Sequence, residues 1–201
     1  MAPPGDESDA LISRAVRHAY LTRELNPMAA WTQSALGWTE FVRGNIDQAR
    51  SFSKRGLRLA PNDLSVLDFD SLIGVFGGDF NYVLETANPA DFQGQSLQRH
   101  LFNISYAVAS YYLGNYPATI EGLNQAASDG APADPVSYAY LIAAYQRSGQ
   151  EEMARLKLAD FLEAWPDSRL ESIVQRLFVR PQDAESLFDA LREAGWTSPA
   201  Q

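Results

Sequence analysis

Four glycines at nearly equal intervals restrict this chain more than any other feature. They are Gly44, Gly78, Gly114 and Gly149, spaced by 34, 36 and 35 residues. Each belongs to a phrase of one form, an apolar run, a glycine, a polar residue and a new run. The phrases are Arg43-Gly44-Asn45-Ile46, Gly77-Gly78-Asp79-Phe80, Leu113-Gly114-Asn115-Tyr116 and Ser148-Gly149-Gln150-Glu151. Prolines keep the same interval: Pro27 and Pro61 are 34 apart, and Pro166 lies three periods of 35 beyond Pro61. Such a period predicts helix–turn–helix units stacked as an α-solenoid, an all-α fold.

The first full unit shows why these residue types recur. Its helices are predicted near Ala29–Val42 and Ile46–Leu59, with Gly44 permitting the reversal between them. Leu36, Phe41, Ile46, Phe52, Leu57 and Leu59 are the apolar contacts; Gly37, Ala49 and Gly56 are small where helices approach closely. Pro61 stops the second helix, and Asn62-Asp63 offer a cap for the next. The fourth unit repeats the scheme with Tyr138, Leu141, Tyr145, Ala154, Leu158 and Phe161.

On these phrases the chain resembles the tetratricopeptide repeat family. The match is carried by Leu36-Gly37, Gly44-Asn45-Ile46, Ala49, Leu57-Arg58-Leu59-Ala60-Pro61-Asn62, and Gly149 with Ala154 and Trp165-Pro166-Asp167. It covers residues 10–167. The second unit departs from the pattern at Asp70 and Val83, and its second helix is cut short near Asn88-Pro89. The third carries Thr119 where alanine is usual. Asp70 is expected to tilt to solvent; the alternative is a buried acid with a partner.

The predicted organisation is a disordered tail over 1–7, a repeat region over 8–167 and a cap over 168–196. Residues 8–25 are in register with the second helix of a unit whose first helix is missing, so the stripe Leu11, Ala15 and Ala19 lacks a neighbour. A longer solenoid or a homodimer would cover it. In the cap, Ser168-Arg169-Leu170-Glu171 reads as a capping box, and Pro181 opens a last helix that ends at Gly195.

The ending Phe178-Val179-Arg180-Pro181, Asp183-Ala184-Glu185-Ser186-Leu187 and Leu191-Arg192-Glu193-Ala194-Gly195 is similar to the C-termini of bacterial class III adenylate cyclases that carry a repeat region. Related tails occur in repeat proteins joined to winged-helix transcriptional regulators. The resemblance implies a regulatory or assembly region of a signalling protein in the cytoplasm. It also implies that this chain is a fragment of a longer protein whose catalytic domain lies elsewhere. A free-standing homodimeric adaptor is the remaining alternative.

Charge and motifs narrow the function. The net charge of −9 divides into +2 over 1–58, −8 over 59–146 and −3 over 147–201. Nucleic-acid grooves need clustered bases, so no nucleic-acid partner is expected. The one basic stripe, Arg50, Lys54 and Arg58 with Arg55 beside it, reads as a solvated face or a contact for an acidic partner. With no cysteine there is no disulfide or thiolate site, and no run is apolar enough for membrane insertion. His18 and His100 are far apart, Gly77-Gly78-Asp79 lacks the lysine of a phosphate loop, and Asp63, Asp68 and Asp70 lack the rest of a calcium loop. No catalytic residue, metal or cofactor is therefore expected.

What remains is a protein- or peptide-binding groove on the first helices. Its expected lining is Trp31, Ser34, Trp38, Leu72, Val108 and Tyr140, with Asp68, Leu101, Ile104, Ala139 and Ala143 beside them. Lys, Arg and Asn are nearly absent from these positions, so either another segment of the chain, such as the N-terminal helix or the cap, covers this apolar groove, or the groove holds a hydrophobic peptide or helix partner through Trp31 and Trp38.

Overall fold

The computed structural model describes residues 4–92 and 99–197, and among these it contains helices and no strand. The chain divides into two compact units, 1–73 and 74–201, with the boundary inside one helix. The expected C-terminal cap thus belongs to the same unit as the third and fourth repeats.

The first unit holds α1 (Pro4–Leu25), α2 (Ala30–Val42), α3 (Ile46–Leu59) and the start of α4 (Leu64–Gly77). α1 begins inside the stretch expected to be a disordered tail; a proline at the first helical position is preorganised for such a start. α1 packs on α2, and α2 on α3. Gly37 and Gly56 are the small residues this hairpin needs. A Cβ on Gly37 would lie 3.1 Å from the Ala49 carbonyl, and one on Gly56 would lie 3.1 Å from Ser34 Oγ. Leu36 and Ala49 are fully buried between the helices. Asp63 caps α4, its Oδ1 accepting from the amides of Ser65 (3.0 Å) and Val66 (3.2 Å). Asp70 does not reach solvent. It is buried and accepts a hydrogen bond from Ser53 Oγ, which satisfies a carboxylate that packing has withdrawn from water.

The second unit continues with α5 (Phe80–Thr86), a 3-10 turn (Pro89–Phe92), α6 (Arg99–Tyr112), α7 (Tyr116–Ser128), α8 (Pro135–Arg147), α9 (Glu151–Ala164), α10 (Leu170–Leu177) and α11 (Pro181–Glu193). α6 pairs with α7 and α8 with α9, and α7 joins the two hairpins through α8. All four junction glycines take the left-handed backbone the period required, with φ of 82°, 84°, 78° and 77°. The departures from the repeat pattern are absorbed locally. Val83 is fully buried, and Gly74 makes room for it: a Cβ there would come within 2.7 Å of Val83 Cγ2. Thr119 is also fully buried, and its hydroxyl donates to the Ala107 carbonyl (3.0 Å). α5 stops at Thr86 as Asn88-Pro89 demands.

The capping box at Ser168 does not form. α10 starts one residue later, with Arg169 at its N-cap and no side-chain cap, so Glu171 falls short of the required third position. Ser168 Oγ is left without a partner, and Glu171 lies 3.8 Å from Arg192 instead. The rest of the cap is well packed: Leu170, Val174, Leu187, Phe188 and Leu191 are buried. α11 lies on α8.

Candidate functional site

The residues expected to line one groove fall into two environments. In the first unit Trp31 is 51% exposed, while Trp38, Phe69 and Leu72 are half-buried. Trp31 and Trp38 lie two turns apart on α2, which puts both indoles on one face. Phe69 from α4 meets each of them. It stands edge-on to Trp31 (centroids 5.9 Å apart, planes at 80°) and tilted against Trp38 (6.2 Å, 58°). Trp38 also stacks on Phe41 at 5.3 Å. Ser34 is buried against Gly56 in the α2–α3 hairpin, so it is packing rather than groove. Asp68 is half-buried with no hydrogen-bond or ion-pair partner among the described residues. Burial alone pushes its carboxyl up to about 6.

In the second unit the chain's own C-terminus covers the α8 part of the expected groove, while Leu101 and Ile104 on α6 stay half-buried. Val108 and Tyr140 are buried, and so are Ala139 and Ala143; they are not available to a partner. The physical reason is the amphipathic α11, which has to bury Leu187, Phe188 and Leu191 and does so on α8. A cluster of tyrosines locks it there. Tyr112 Oη donates to the Asp183 carbonyl (3.0 Å), and Tyr111 Oη donates to that of Ser186 (3.3 Å). Tyr112 has one proton and spends it on Asp183, so the 2.7 Å contact between Tyr140 Oη and Tyr112 Oη must be donated by Tyr140. Burial pushes the Tyr111 phenol up to about 12 and those of Tyr112 and Tyr140 well above their usual value, so all three stay neutral donors.

The strap between α10 and α11 returns to the turn at Gly78. The Val179 amide donates to the Phe76 carbonyl (3.0 Å), and Phe178 stands edge-on to Phe76 at 5.2 Å. Arg180 lies over the Phe80 ring, 5.1 Å from its centroid, and is clamped by Asp183 through two hydrogen bonds of 2.7 and 3.1 Å. A Cβ on Gly78 would collide with the Arg180 guanidinium. Glycine is favoured at this position for its φ, and any Cβ there would also oblige the Arg180 guanidinium to shift.

Glu40 is a polar centre that sequence reasoning missed. It is fully buried on α2 and accepts from Tyr20 Oη (2.7 Å), Arg43 Nη1 (2.9 Å) and Asn45 Nδ2 (2.7 Å). Burial works to raise its carboxyl, yet the bonds from Asn45, Tyr20 and Arg43 together hold it below the usual carboxylate range. Tyr20 is raised in turn, because it donates to Glu40. The signal was present as a lone acid beside Phe41 in an otherwise uncharged helix, but its three donors lie on α1 and in the Gly44 turn.

Other candidates converge less. An open cleft of about 460 Å³ is bordered by Asn88, Asn103, Tyr106, Glu121, Gly122 and Gln125. Lys54, Arg55 and Arg58 of the basic stripe are exposed, as a solvated face would be. His18 is exposed, while the side chains of Leu11 and His100 lie outside the described residues. Among the described residues no three His, Asp or Glu side chains gather as a metal site, and no helix is long and apolar enough to cross a membrane. No protein-family model matches this chain, and no curated protein matches it.

Proposed function

We propose that this chain is a protein-interaction scaffold built on tetratricopeptide-like repeats in a right-handed solenoid. Its working surface is the Trp31–Trp38–Phe69 face of the first unit. The observation that supports this reading is the contrast in cover. The second unit encloses Tyr111 and Tyr140 of its first helices beneath its own C-terminal helix, whereas Trp31 keeps half its surface open. Exposed indoles backed by packed rings are the kind of anchor that dominates protein interfaces. Leu21, Leu25 and Met28 add exposed apolar surface in the same unit.

The test is a selection of binding peptides on the intact chain, followed by measurement on the Trp31→Ala/Trp38→Ala variant. A loss of at least tenfold in affinity is expected, in line with removal of an anchor residue worth more than about 1.4 kcal/mol. Selected peptides that bind the variant unchanged would remove this face from the account.

The similarity of residues 165–195 to the tails of repeat-bearing adenylate cyclases supports a narrower reading, a regulatory or assembly region attached to a cyclase-like domain in the cytoplasm. A cyclase domain encoded in frame with this chain, whose activity changes when the repeats are deleted, is the expected result. Cyclase activity in the isolated chain would overturn the division of labour.

A further inference from the structure

The open cleft beside α6 and α7 lies wholly within the second unit. Its room has a source in the sequence. One period of 35 further on, α9 carries Met153 and Lys157 where α7 carries Ala118 and Gly122. The corresponding space there, bordered by Tyr138, Leu141 and Lys157, is only about 200 Å³. The α6–α7 cleft keeps about 460 Å³ because its α7 wall has little or no side chain at those two positions.

The polar groups of the cleft are held in place. Asp129, at the C-cap of α7, accepts from Asn103 Nδ2 (3.0 Å) through one carboxylate oxygen and from Gln125 Nε2 (2.9 Å) through the other. An ionised carboxylate only accepts, so both carboxamides turn their amino groups to it and their carbonyls away. Asn103 is only 3% exposed. Its Oδ1 receives no hydrogen bond, yet it is not enclosed, so it opens on the cleft that the side chain borders. Gln125 and Glu121 border the same space, one turn apart on α7. Neither Gln125 Oε1 nor the Glu121 carboxylate has a donor among the described residues.

These groups are all acceptors, and their surroundings are negative. No Lys or Arg borders the cleft, and Arg99 is the one Lys or Arg against nine acids over residues 59–146. Anions are therefore repelled, and a ligand rich in donors and positively charged is favoured. A guanidinium meets both demands. It carries five N–H donors and no acceptor, and its plane can serve carbonyl and carboxylate oxygens on several edges at once.

We propose that this cleft binds an arginine side chain presented by a peptide segment of a protein partner. The guanidinium donates to Asn103 Oδ1 and Gln125 Oε1 and pairs with Glu121. The bare wall at Ala118 and Gly122 admits the adjoining main chain. The site is separate from the Trp31 face and does not depend on it.

An acetylated, amidated Gly-Arg-Gly peptide tests the site by calorimetric titration of the full chain, against the same peptide with citrulline, the neutral isostere of arginine. The arginine peptide is expected to bind about tenfold more tightly, the scale of charge-assisted hydrogen bonds. Glu121→Gln, at an exposed position, is expected to weaken it about threefold and to leave the citrulline peptide unchanged. Ala118→Met, which copies the residue α9 has at this register, is expected to block the cleft and abolish binding with unchanged helical circular dichroism. Equal affinities of the two peptides, or no heat from the arginine peptide at millimolar concentration, would overturn the site. Arginine binding that survives Ala118→Met would place it elsewhere on the chain and overturn the assignment. Ethylguanidinium bound as tightly as the arginine peptide would overturn the peptide as its source.

Discussion

Trp38 and Val108 each stand six residues before a junction glycine, on first helices of the same repeat register, yet they meet opposite fates. Val108 is 5% exposed within a unit that folds α11 back over α8, whereas Trp38 stays half-buried beside the open Trp31. The repeat pattern dictates the hairpin and says nothing about what lies over it. Cover is supplied by remote sequence, and the unit that contains the C-terminal helices uses it. Tyr111 and Tyr140 became core, and Trp31 remained surface.

The largest effect that can break this comparison is at Tyr140. It is fully buried beneath α11 and donates to Tyr112, which in turn holds the Asp183 carbonyl. Tyr140→Ala removes a large side chain from a packed interior and cuts the hydrogen-bond relay to α11. A loss of about 3–5 kcal/mol is expected in urea unfolding. A loss under 1 kcal/mol would mean that the C-terminal helices rest on the repeats without being part of their core.

Glu40 gives the next largest effect and sharpens the picture of the first unit, where it ties α1 and the Gly44 turn to α2 through three hydrogen bonds. Glu40→Gln keeps the shape but loses the charge that receives three donors, at an expected cost of about 2–3 kcal/mol near neutral pH. The folded carboxyl sits below its unfolded value, so its contribution is complete above the unfolded pKa and is lost as pH falls through the folded one. The stabilities of the parent and Glu40→Gln should therefore converge in acid. A constant gap across the titration would show that the charge of Glu40 contributes nothing.

The legible parts of the sequence were those governed by local backbone rules. Gly44, Gly78, Gly114 and Gly149 marked all four reversals because left-handed backbone excludes most other residues. Asp63 marked the start of α4, and Asn88-Pro89 the short α5, for similarly local reasons. What depends on distant partners was hidden. Asp70 looked like a surface acid because Ser53 is seventeen residues away, and at Tyr140 the sequence could not tell a groove covered by the cap from an open one because nothing in its repeat announces α11. Ser168-Glu171 had the right letters for a capping box, but the helix began one residue further on. Half of the candidate site, Trp31 and Trp38, could be read from spacing; its counterpart in the second unit could not.

Asp68 reverses the sign found at Glu40. Its folded carboxyl is raised to about 6 by burial, so ionisation costs stability to the folded chain. That cost is complete above about pH 6, shrinks between 6 and the ordinary aspartate value near ~4, and is absent below it. Asp68→Asn is expected to stabilise the chain by about 1–2 kcal/mol at pH 7 and by nothing in acid. A destabilising Asp68→Asn at pH 7 would show that the carboxylate already has an internal partner.

The smallest expected effect on stability is at Trp31, and it is the one that separates surface from core most cleanly. Half of this indole is in water, and it meets Phe69 edge-on. Trp31→Ala removes little buried area and leaves no enclosed cavity, so the unfolding free energy should fall by about 1 kcal/mol or less. Partner binding should fall by far more, because a ring that contributes little to the fold is free to contribute most of its area to an interface. Tyr140→Ala has the opposite profile, large in stability and without direct contact to any partner. If Trp31→Ala instead unfolded the chain as severely as Tyr140→Ala, the first-unit aromatics would be core as well, and the open face would have to be sought elsewhere.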